Sequence, residues 1–341
     1  MNKVSVVILN WNGAEMLRRF LPSVLAGSAG EGVEVCVADN GSSDDSCRML
    51  EQEFPAVRLI RLDRNYGFAD GYNKAFEQVD AEYAVLLNSD VEVAPGWLTP
   101  MVEYMDLHQD VAACQPKLLD WKQKDRFEYA GAAGGFIDRY GYPFCRGRIF
   151  EIVEKDKGQY DTPISVFWAT GAALFIRLDK YREVGGLDGR FFAHMEEIDL
   201  CWRLRSRGYK LFCLPESKVW HVGGATLKKE NPRKTFLNFR NNLLMLYKNL
   251  PPEELRRVMK IRACLDYVAA CVFLLKGDWG NFRAVIQARK EYARLRPQFK
   301  ADRQENLDNA VCFNVSGRFS FSILWQSKVR GHKKYSDLPV K

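Results

Sequence analysis

Val33-Glu34-Val35-Cys36-Val37-Ala38-Asp39-Asn40-Gly41-Ser42-Ser43-Asp44 is a β-branched run that ends abruptly in a polar turn. Runs of this length and composition read as buried strands, and Asn, Asp, Ser and Gly supply turn geometry and helix caps. The residues that follow, Ser46 to Phe54, read as a helix. The same unit occurs on both sides. Val4 to Leu9 leads into Asn10-Trp11-Asn12-Gly13 and a helix from Ala14 to Leu25. Val57 to Leu62 leads into Arg64-Asn65-Tyr66-Gly67-Phe68-Ala69-Asp70-Gly71 and a helix from Gly71 to Val79. Tyr83 to Leu87 leads into Asn88-Ser89-Asp90. Such alternation predicts parallel strands joined by right-handed crossovers, an open α/β sheet. Ligands of these sheets sit beyond the carboxyl ends of the strands. Any one of the four polar turns is explained by a local role, but all four on one edge mark where to look.

Further along, Asp120 to Asp161 is rich in loop-forming residues and shows little periodicity. Order resumes at Val166-Phe167-Trp168-Ala169-Thr170-Gly171 and the apolar run Ala172 to Ile176. Gly185-Gly186-Leu187-Asp188 follows, and Phe191 to Asp199 opens a helix predicted to reach Arg207. Val219-Trp220-His221-Val222-Gly223-Gly224 closes this part. Beyond Thr226, Phe236, Phe239, Leu243, Leu246 and Leu250 form one stripe of a helix ended by Pro251-Pro252. Ala263 to Leu275 is apolar except for Asp266; it is shorter than the roughly 20 residues a membrane span requires. Trp279, Phe282, Val285, Ile286 and Ala293 make an apolar face, with Arg283, Lys290 and Arg294 on another. That pattern suits a helix lying on an anionic membrane surface slightly better than one packed on the rest of the protein.

The 341 residues suit one large domain with an appendage, or two domains. Nine cysteines with no C-x-x-C pair suggest reduced thiols and a cytoplasmic setting rather than a disulfide framework. The short apolar run after Lys3 is not the core of a signal peptide. A secreted disulfide scaffold and a polytopic membrane protein are therefore not expected. The net charge of +7 divides unevenly: residues 1–226 carry a balance of −7, residues 227–341 one of +14. The acidic part, 1–226, is read as the catalytic domain and 227–341 as a basic helical region, drawn to an anionic surface. No recognised nucleic-acid module accompanies the basic residues, so nucleic acid is not an expected partner.

No G-x-G-x-x-G follows the first strand, and no G-x-x-x-x-G-K-[ST], H-E-x-x-H or G-x-S-x-G is present. Dinucleotide oxidoreductases, P-loop NTPases, zinc proteases and serine hydrolases thus lose their main support. What the strand ends carry is carboxylates, the chemistry of a hard divalent cation that holds a substrate's phosphates.

Taken in order, these segments resemble the family-2 glycosyltransferases of the GT-A fold, over roughly residues 3 to 250. The resemblance lies in Asn10-Trp11-Asn12, Asp39 to Asp44, Asn65-Tyr66-Gly67-Phe68-Ala69 with Gly71 and Asn73, and Asn88-Ser89-Asp90. It continues through Thr170-Gly171-Ala172, Gly186-Leu187-Asp188, Glu196-Glu197-Ile198-Asp199-Leu200-Cys201 and His221-Val222-Gly223-Gly224. The chain is most similar to the rhamnosyltransferase-like branch that builds bacterial surface polysaccharides. The resemblance implies an open mixed sheet flanked by helices, with a helical C-terminal extension. It also implies inverting transfer of a sugar from a nucleotide-diphosphate donor to a hydroxyl of a glycan or lipid-linked acceptor. The site would be cytoplasmic, at the inner face of the membrane, with Mn²⁺ or Mg²⁺ as cofactor.

The same resemblance assigns roles. Asp39 would recognise the base or ribose, with Asn10, Asn40, Asn65, Gly67, Asn73, Asn88, Ser89 and Gly171 completing the nucleotide-sugar site. Asp90 occupies the second acidic position of a D-x-D pattern whose first member here is Asn88, and His221 matches the His that helps hold the metal in some relatives. Glu197 stands where the family's usual Glu-Asp pair has its general base, with Glu196 beside it as the other candidate. Asp188 would contact donor or acceptor sugar, or order the loop before the base. Trp168 matches a sugar-stacking aromatic, although large aromatics usually belong to the core. Rival readings are a nucleotidyltransferase, which lacks its expected glycine- and basic-rich first loop here, and a nucleotide-sugar-binding protein of the same fold with a degraded site.

Overall fold

In the computed structural model, which describes residues 1–223 and 231–340, the three strand–helix units and the fourth strand form as the patterning predicts, the third helix starting four residues earlier, at Gly67. They are β1 (Asn2–Asn10), α1 (Ala14–Gly27), β2 (Val33–Asn40), α2 (Ser46–Glu53), β3 (Arg58–Leu62), α3 (Gly67–Glu77) and β4 (Ala81–Leu87). These strands are parallel, in the spatial order β4-β1-β2-β3. The register sets Asn10 beside Asp39, and Ile8 beside Leu87 just before Asn88. The polar turns therefore share one edge.

Short β5 (Val91–Val93) and α4 (Thr99–Leu107) lead into β6 (Val111–Asp120). Four short strands follow: β7 (Gly135–Ile137), β8 (Pro143–Cys145), β9 (Arg148–Ile149) and β10 (Ile152–Val153). They form a small antiparallel sheet of their own in the stretch that shows no periodicity in sequence. Strands of two or three residues are too short to display alternation. The main sheet resumes with β11 (Ile164–Ser165), β12 (Ala173–Arg177), α5 (Leu178–Glu183), α6 (Glu196–Ser206) and β13 (Lys210–His221). Its β12 is antiparallel to both β4 and β6, so the nine-stranded sheet is mixed. Trp168 is buried against Gly135, with its indole N–H donating to the Phe136 carbonyl at 2.9 Å. It is a core residue, not a ring presented to a sugar.

Four α-helices follow, α7 (Pro232–Asn249), α8 (Pro252–Leu275), α9 (Trp279–Leu295) and α10 (Lys300–Asp308), and then a C-terminal segment with only short helical turns. The boundary at 226 and Gly224 lie outside the described residues. The charge changes at that boundary, but the packing runs across it. Leu243, Leu244, Met245, Leu246 and Leu250 share one apolar cluster with Leu200, Phe191 and Trp202. Phe319, Phe321 and Tyr335 of the C-terminal segment pack on Phe136 and Phe144 of the small sheet. On α9 the buried face is Ala284, Val285, Ala288 and Tyr292, turned toward α7. Of the apolar face read for a membrane surface, Val285 is buried, Phe282 and Ile286 are half-buried, and Trp279 and Ala293 are exposed. Among the described residues no helix is long and apolar enough to cross a membrane.

One buried cation stitches α7 to the rest. The Lys248 ammonium donates to Asp188 at 2.7 Å and to Asp199 of α6 at 2.8 Å. Asn249 adds a bond to Asp199 at 2.8 Å, and Arg203 another at 2.9 Å. Removing one partner of a buried ion pair costs about 3–5 kcal/mol, because the remaining charge stays desolvated. Lys248→Ala is accordingly expected to lower the melting temperature by about 5 °C, measured by differential scanning fluorimetry, whereas Lys210→Ala, at an exposed pair with Asp110, leaves it within about 1 °C.

Candidate active site

At the carboxyl edge of β1 and β2, Asn10 donates to Asp39 Oδ1 at 3.0 Å and the Ser42 backbone N–H donates to Asp39 Oδ2 at 3.0 Å. Asp39 is buried, yet it stays at the strand end where donor groups of a ligand would arrive. Asn40 takes a structural part here. It accepts from the Tyr66 N–H at 2.9 Å and donates to the Gly67 carbonyl at 2.9 Å, which fixes the turn into α3. Asn65 accepts from the Gly67 N–H at 2.8 Å in the same turn. Gly67 has φ of 77°, and a β-carbon there would stand 3.1 Å from the Phe192 ring. A side chain is excluded on both counts.

The second cluster is set by strand pairing. β5 runs antiparallel to the end of β13, with Val91 opposite His221, so the strand that follows Asp90 lies against the strand that carries the imidazole. His221 Nε2 lies 3.1 Å from Asp90 Oδ1 and 3.3 Å from Asn88 Nδ2. On the other side of the ring, Nδ1 is 3.4 Å from the buried Glu128 carboxylate. Burial alone would lower the His221 pKa, but the hydrogen bond to Asp90 and the neighbouring Glu128 carboxylate outweigh it and raise it to about 10. Burial works against Asp90 as an anion, and the bond to His221 prevails, holding its pKa below the ordinary value. The Asp90 carboxylate and the His221 imidazole face each other, the ring backed by a second acid; once the ring gives up its proton, such a pair is a donor set that suits a divalent cation. Among the described residues no three His, Cys, Asp or Glu side chains converge as a complete metal site. Asp90 and His221 would supply two ligands, leaving places for substrate phosphates.

The third cluster is at the start of α6. Phe192, His194 and Met195 all have positive φ, at 67°, 70° and 75°. For residues with a β-carbon such backbone costs about 1–3 kcal/mol each and persists only where surroundings enforce it. Asn241 of α7 enforces it: its amide nitrogen is within 2.8–2.9 Å of the carbonyls of Phe191, Ala193 and His194. The loop so held delivers Glu196 and Glu197 at the helix start. One oxygen of each carboxylate is buried with no hydrogen-bond partner. Burial raises the Glu197 pKa to about 7; burial, then the Glu197 charge, raises that of Glu196 well above the usual range. A β-carbon on Gly171 would lie 3.8 Å from Cβ of Glu197 and 3.2 Å from Phe68, so the bare backbone there keeps space beside the carboxylate.

The sequence model of Glycosyl transferase family 2 matches residues 5–175. The chain belongs to that family. It is 27% identical over 234 residues to the N-acetylglucosaminyl-diphospho-decaprenol L-rhamnosyltransferase of Mycobacterium tuberculosis, covering 63% of this chain and 75% of that protein. It is 26% identical over 238 residues to the O-antigen biosynthesis protein RfbC of Myxococcus xanthus, covering 67% of this chain but 18% of that one. Among solved structures it resembles GalNAc-T7 with UDP, GalNAc and Mn²⁺, at a TM-score of 0.63 and 16% identity, over 98% of this chain and 58% of the other. It also resembles S. aureus TarS 1–349 in complex with UDP-GlcNAc, at 0.57 and 13%, over 98% and 93%. The fold is GT-A, and the chain is a rhamnosyltransferase-like member of family 2.

Within this glycosyltransferase fold the expected site residues sort into two sets. Asn10, Asp39, Asn88, Ser89 and Asp90 line the strand edge. Glu196, Glu197 and Gly171 gather beside it at the start of α6. Asn73 does not join either set. Its amide oxygen accepts from Tyr181 at 2.6 Å and the Leu187 N–H at 3.0 Å, and its nitrogen donates to the Leu187 carbonyl at 2.8 Å. With its amide committed to Leu187 and Tyr181, it braces the loop before Asp188 rather than meeting a nucleotide. Asp188 is likewise engaged by Arg190 and Lys248, both at 2.7 Å; burial opposes its charge, but these two cations hold its pKa far below normal. It orders the loop. Sequence reasoning missed Glu128, Asn241 and Lys248. Each is a polar residue whose partner lies 47–93 positions away, and the one visible signal is polarity inside an apolar setting.

Asn241→Ala frees the strained loop while leaving the strand edge intact. The expected outcome is a fall in kcat of about 10²-fold with KM for the nucleotide sugar unchanged, read from steady-state kinetics.

Proposed function

We propose that this chain is an inverting glycosyltransferase that moves a sugar from a nucleotide-diphosphate donor to a hydroxyl of a glycan or lipid-linked acceptor, in surface-polysaccharide synthesis. The observation that carries the reading is the pair of buried carboxylates at the start of α6, each with an unpartnered oxygen. Glu197 takes the proton of the acceptor hydroxyl as that oxygen attacks the anomeric carbon. The bond from that carbon to the diphosphate breaks, and the leaving oxygen keeps the electron pair. A single displacement inverts the configuration. A positioned base of this kind contributes about 10²–10⁴-fold. Asp39 and Asn10 hold the nucleoside. Asp90 and His221 would hold Mn²⁺ or Mg²⁺, which supplies positive charge against the departing diphosphate.

Rhamnose from a thymidine diphosphate donor is the favoured substrate, supported by the rhamnosyltransferase among the relatives. That relative's name includes a lipid diphosphate, which supports a lipid-linked acceptor here. We place the work at the cytoplasmic face of a membrane, with residues 1–226 as the catalytic domain and the basic residues 227–341 facing the anionic surface. The alternative is a nucleotide-sugar-binding protein of the same fold, favoured by Asn88 and Glu197 where the family's pattern has acids of other length or charge.

The test is nucleoside-diphosphate release from a panel of nucleotide sugars, with and without Mn²⁺ or Mg²⁺, using membrane extract as acceptor. Metal-dependent release from one donor, reduced at least 10²-fold in Glu197→Gln, is the expected result. Donor binding without turnover in either protein selects the alternative. For the active enzyme, kcat/KM should rise with pH up to about 7 and then level, because the base works only once the raised Glu197 carboxyl has ionised. A profile flat from pH 5.5 to 8 assigns the proton transfer elsewhere.

A further inference from the structure

A groove runs between α7 and α9. Its α7 wall presents Arg233 and Phe236; its α9 wall presents Arg283, Gln287, Lys290 and Glu291. The helices close at its end, where a β-carbon on Gly280 would meet Pro232 at 2.9 Å. The groove holds three cations against one anion, and the Glu291 carboxylate is already bound by Arg294 at 2.6 Å. Among the described residues no ion pair engages Arg283 or Lys290.

Both ends of a candidate ligand are marked by what adjoins the groove. Next to Gly280 stands Trp279, 58% exposed, and before it Leu275, 86% exposed. Leu275 continues a stripe of α8 in which Tyr267, Val268 and Val272 are also exposed. Exposed aliphatic and aromatic side chains beside Lys276 and Arg283 form the kind of surface that meets lipid at the headgroup level. On the other side, the Arg233 guanidinium lies over the Phe192 ring at 5.4 Å. Phe192 belongs to the strained loop that delivers Glu197. The groove therefore adjoins an apolar surface on one flank and the loop of the proposed base on the other.

We infer that this groove binds the diphosphate of a lipid-diphosphate-linked acceptor, with the lipid chain laid over the exposed end of α8 and the acceptor sugar passing Phe192 toward Glu197. The inference rests on the glycosyl-transfer reading above. The donor's diphosphate is not a competing occupant in that reading, because it belongs at the Asp90 edge. Arg and Lys side chains suit phosphate oxygens, and a doubly charged group favours such a row over the single charge of an ordinary phospholipid headgroup.

The probe is farnesyl diphosphate carried in phosphatidylcholine vesicles, with co-sedimentation of the full chain as readout. Wild type should bind at least tenfold more tightly than Arg283→Glu/Lys290→Glu, with the milder Arg283→Gln/Lys290→Gln in between. Asp39→Asn, at the donor edge, should bind the vesicles as wild type does. Vesicles carrying farnesol, or phosphatidylglycerol at equal surface charge, should bind at least tenfold more weakly. Equal binding to phosphatidylglycerol overturns the diphosphate assignment and indicates a general anionic surface. Loss in Asp39→Asn with none in the groove variants overturns it too, since the probe then sits on the donor edge. Nucleotide-sugar binding, measured by calorimetry, should keep its wild-type Kd in the groove variants. If wild type binds no nucleotide sugar, the transferase reading fails, and the vesicle result still decides whether the groove takes a lipid diphosphate.

Discussion

The Lys248 ammonium, buried between Asp188 and Asp199, is the constraint on which the active-site half of the molecule depends. It joins three elements that are distant in sequence: the loop before Glu196, the helix α6, and α7. Burial of two carboxylates is costly without a cation between them. Given that cation, the same burial becomes a device for holding geometry. Asn241, two turns earlier on α7, then binds three carbonyls of the loop and keeps backbone that would otherwise relax. Glu196 and Glu197 arrive at the site with unpaired oxygens because their surroundings have been immobilised by others.

The strand edge is organised on the opposite principle. Asp39, Asn10, Asp90 and His221 gain their positions from sheet register, and their hydrogen bonds run mainly to one another. His221 is held from both sides, by Asp90 and by Glu128, which fixes the ring without using the space in front of Asp39. One half of the site is therefore rigid through the backbone ladder and the other through buried ion pairing. The proposed reaction uses both: a strand edge for the donor's diphosphate, and a carboxyl kept from water so that its pKa stands near neutrality.

The strand edge was legible in sequence because its signals are local. A β-branched run followed by Asp39-Asn40-Gly41 announces both the strand and its polar end within a dozen residues. The family resemblance extended this to Glu197 and His221. Other features had no local signature. The small sheet is made of strands too brief to alternate, and its stability comes from Phe319, Phe321 and Tyr335, well over 150 residues away. Asn73 resembled a ligand contact in sequence and proves to be a brace, since only the fold reveals that Leu187 and Tyr181 occupy it. Periodicity located the apolar residues of α9 but set the face slightly off: the residues that turn inward are Ala284, Val285, Ala288 and Tyr292, while Trp279 and Ala293 stay exposed.

The packing across residue 226 has an evolutionary consequence. Asn241 and Lys248 lie beyond the point where charge changes sign, yet they hold the loop that leads into Glu196 and Glu197. A recombination event that exchanged everything after residue 226 would import another protein's clamp for this protein's Glu196–Glu197 loop. A junction placed after Asn249 would keep the clamp with its loop, while the α9 wall of the groove and the exposed end of α8 remained exchangeable. With the groove as the proposed acceptor site, a swap of α8 and α9 would change what it holds while the clamped loop is inherited unchanged.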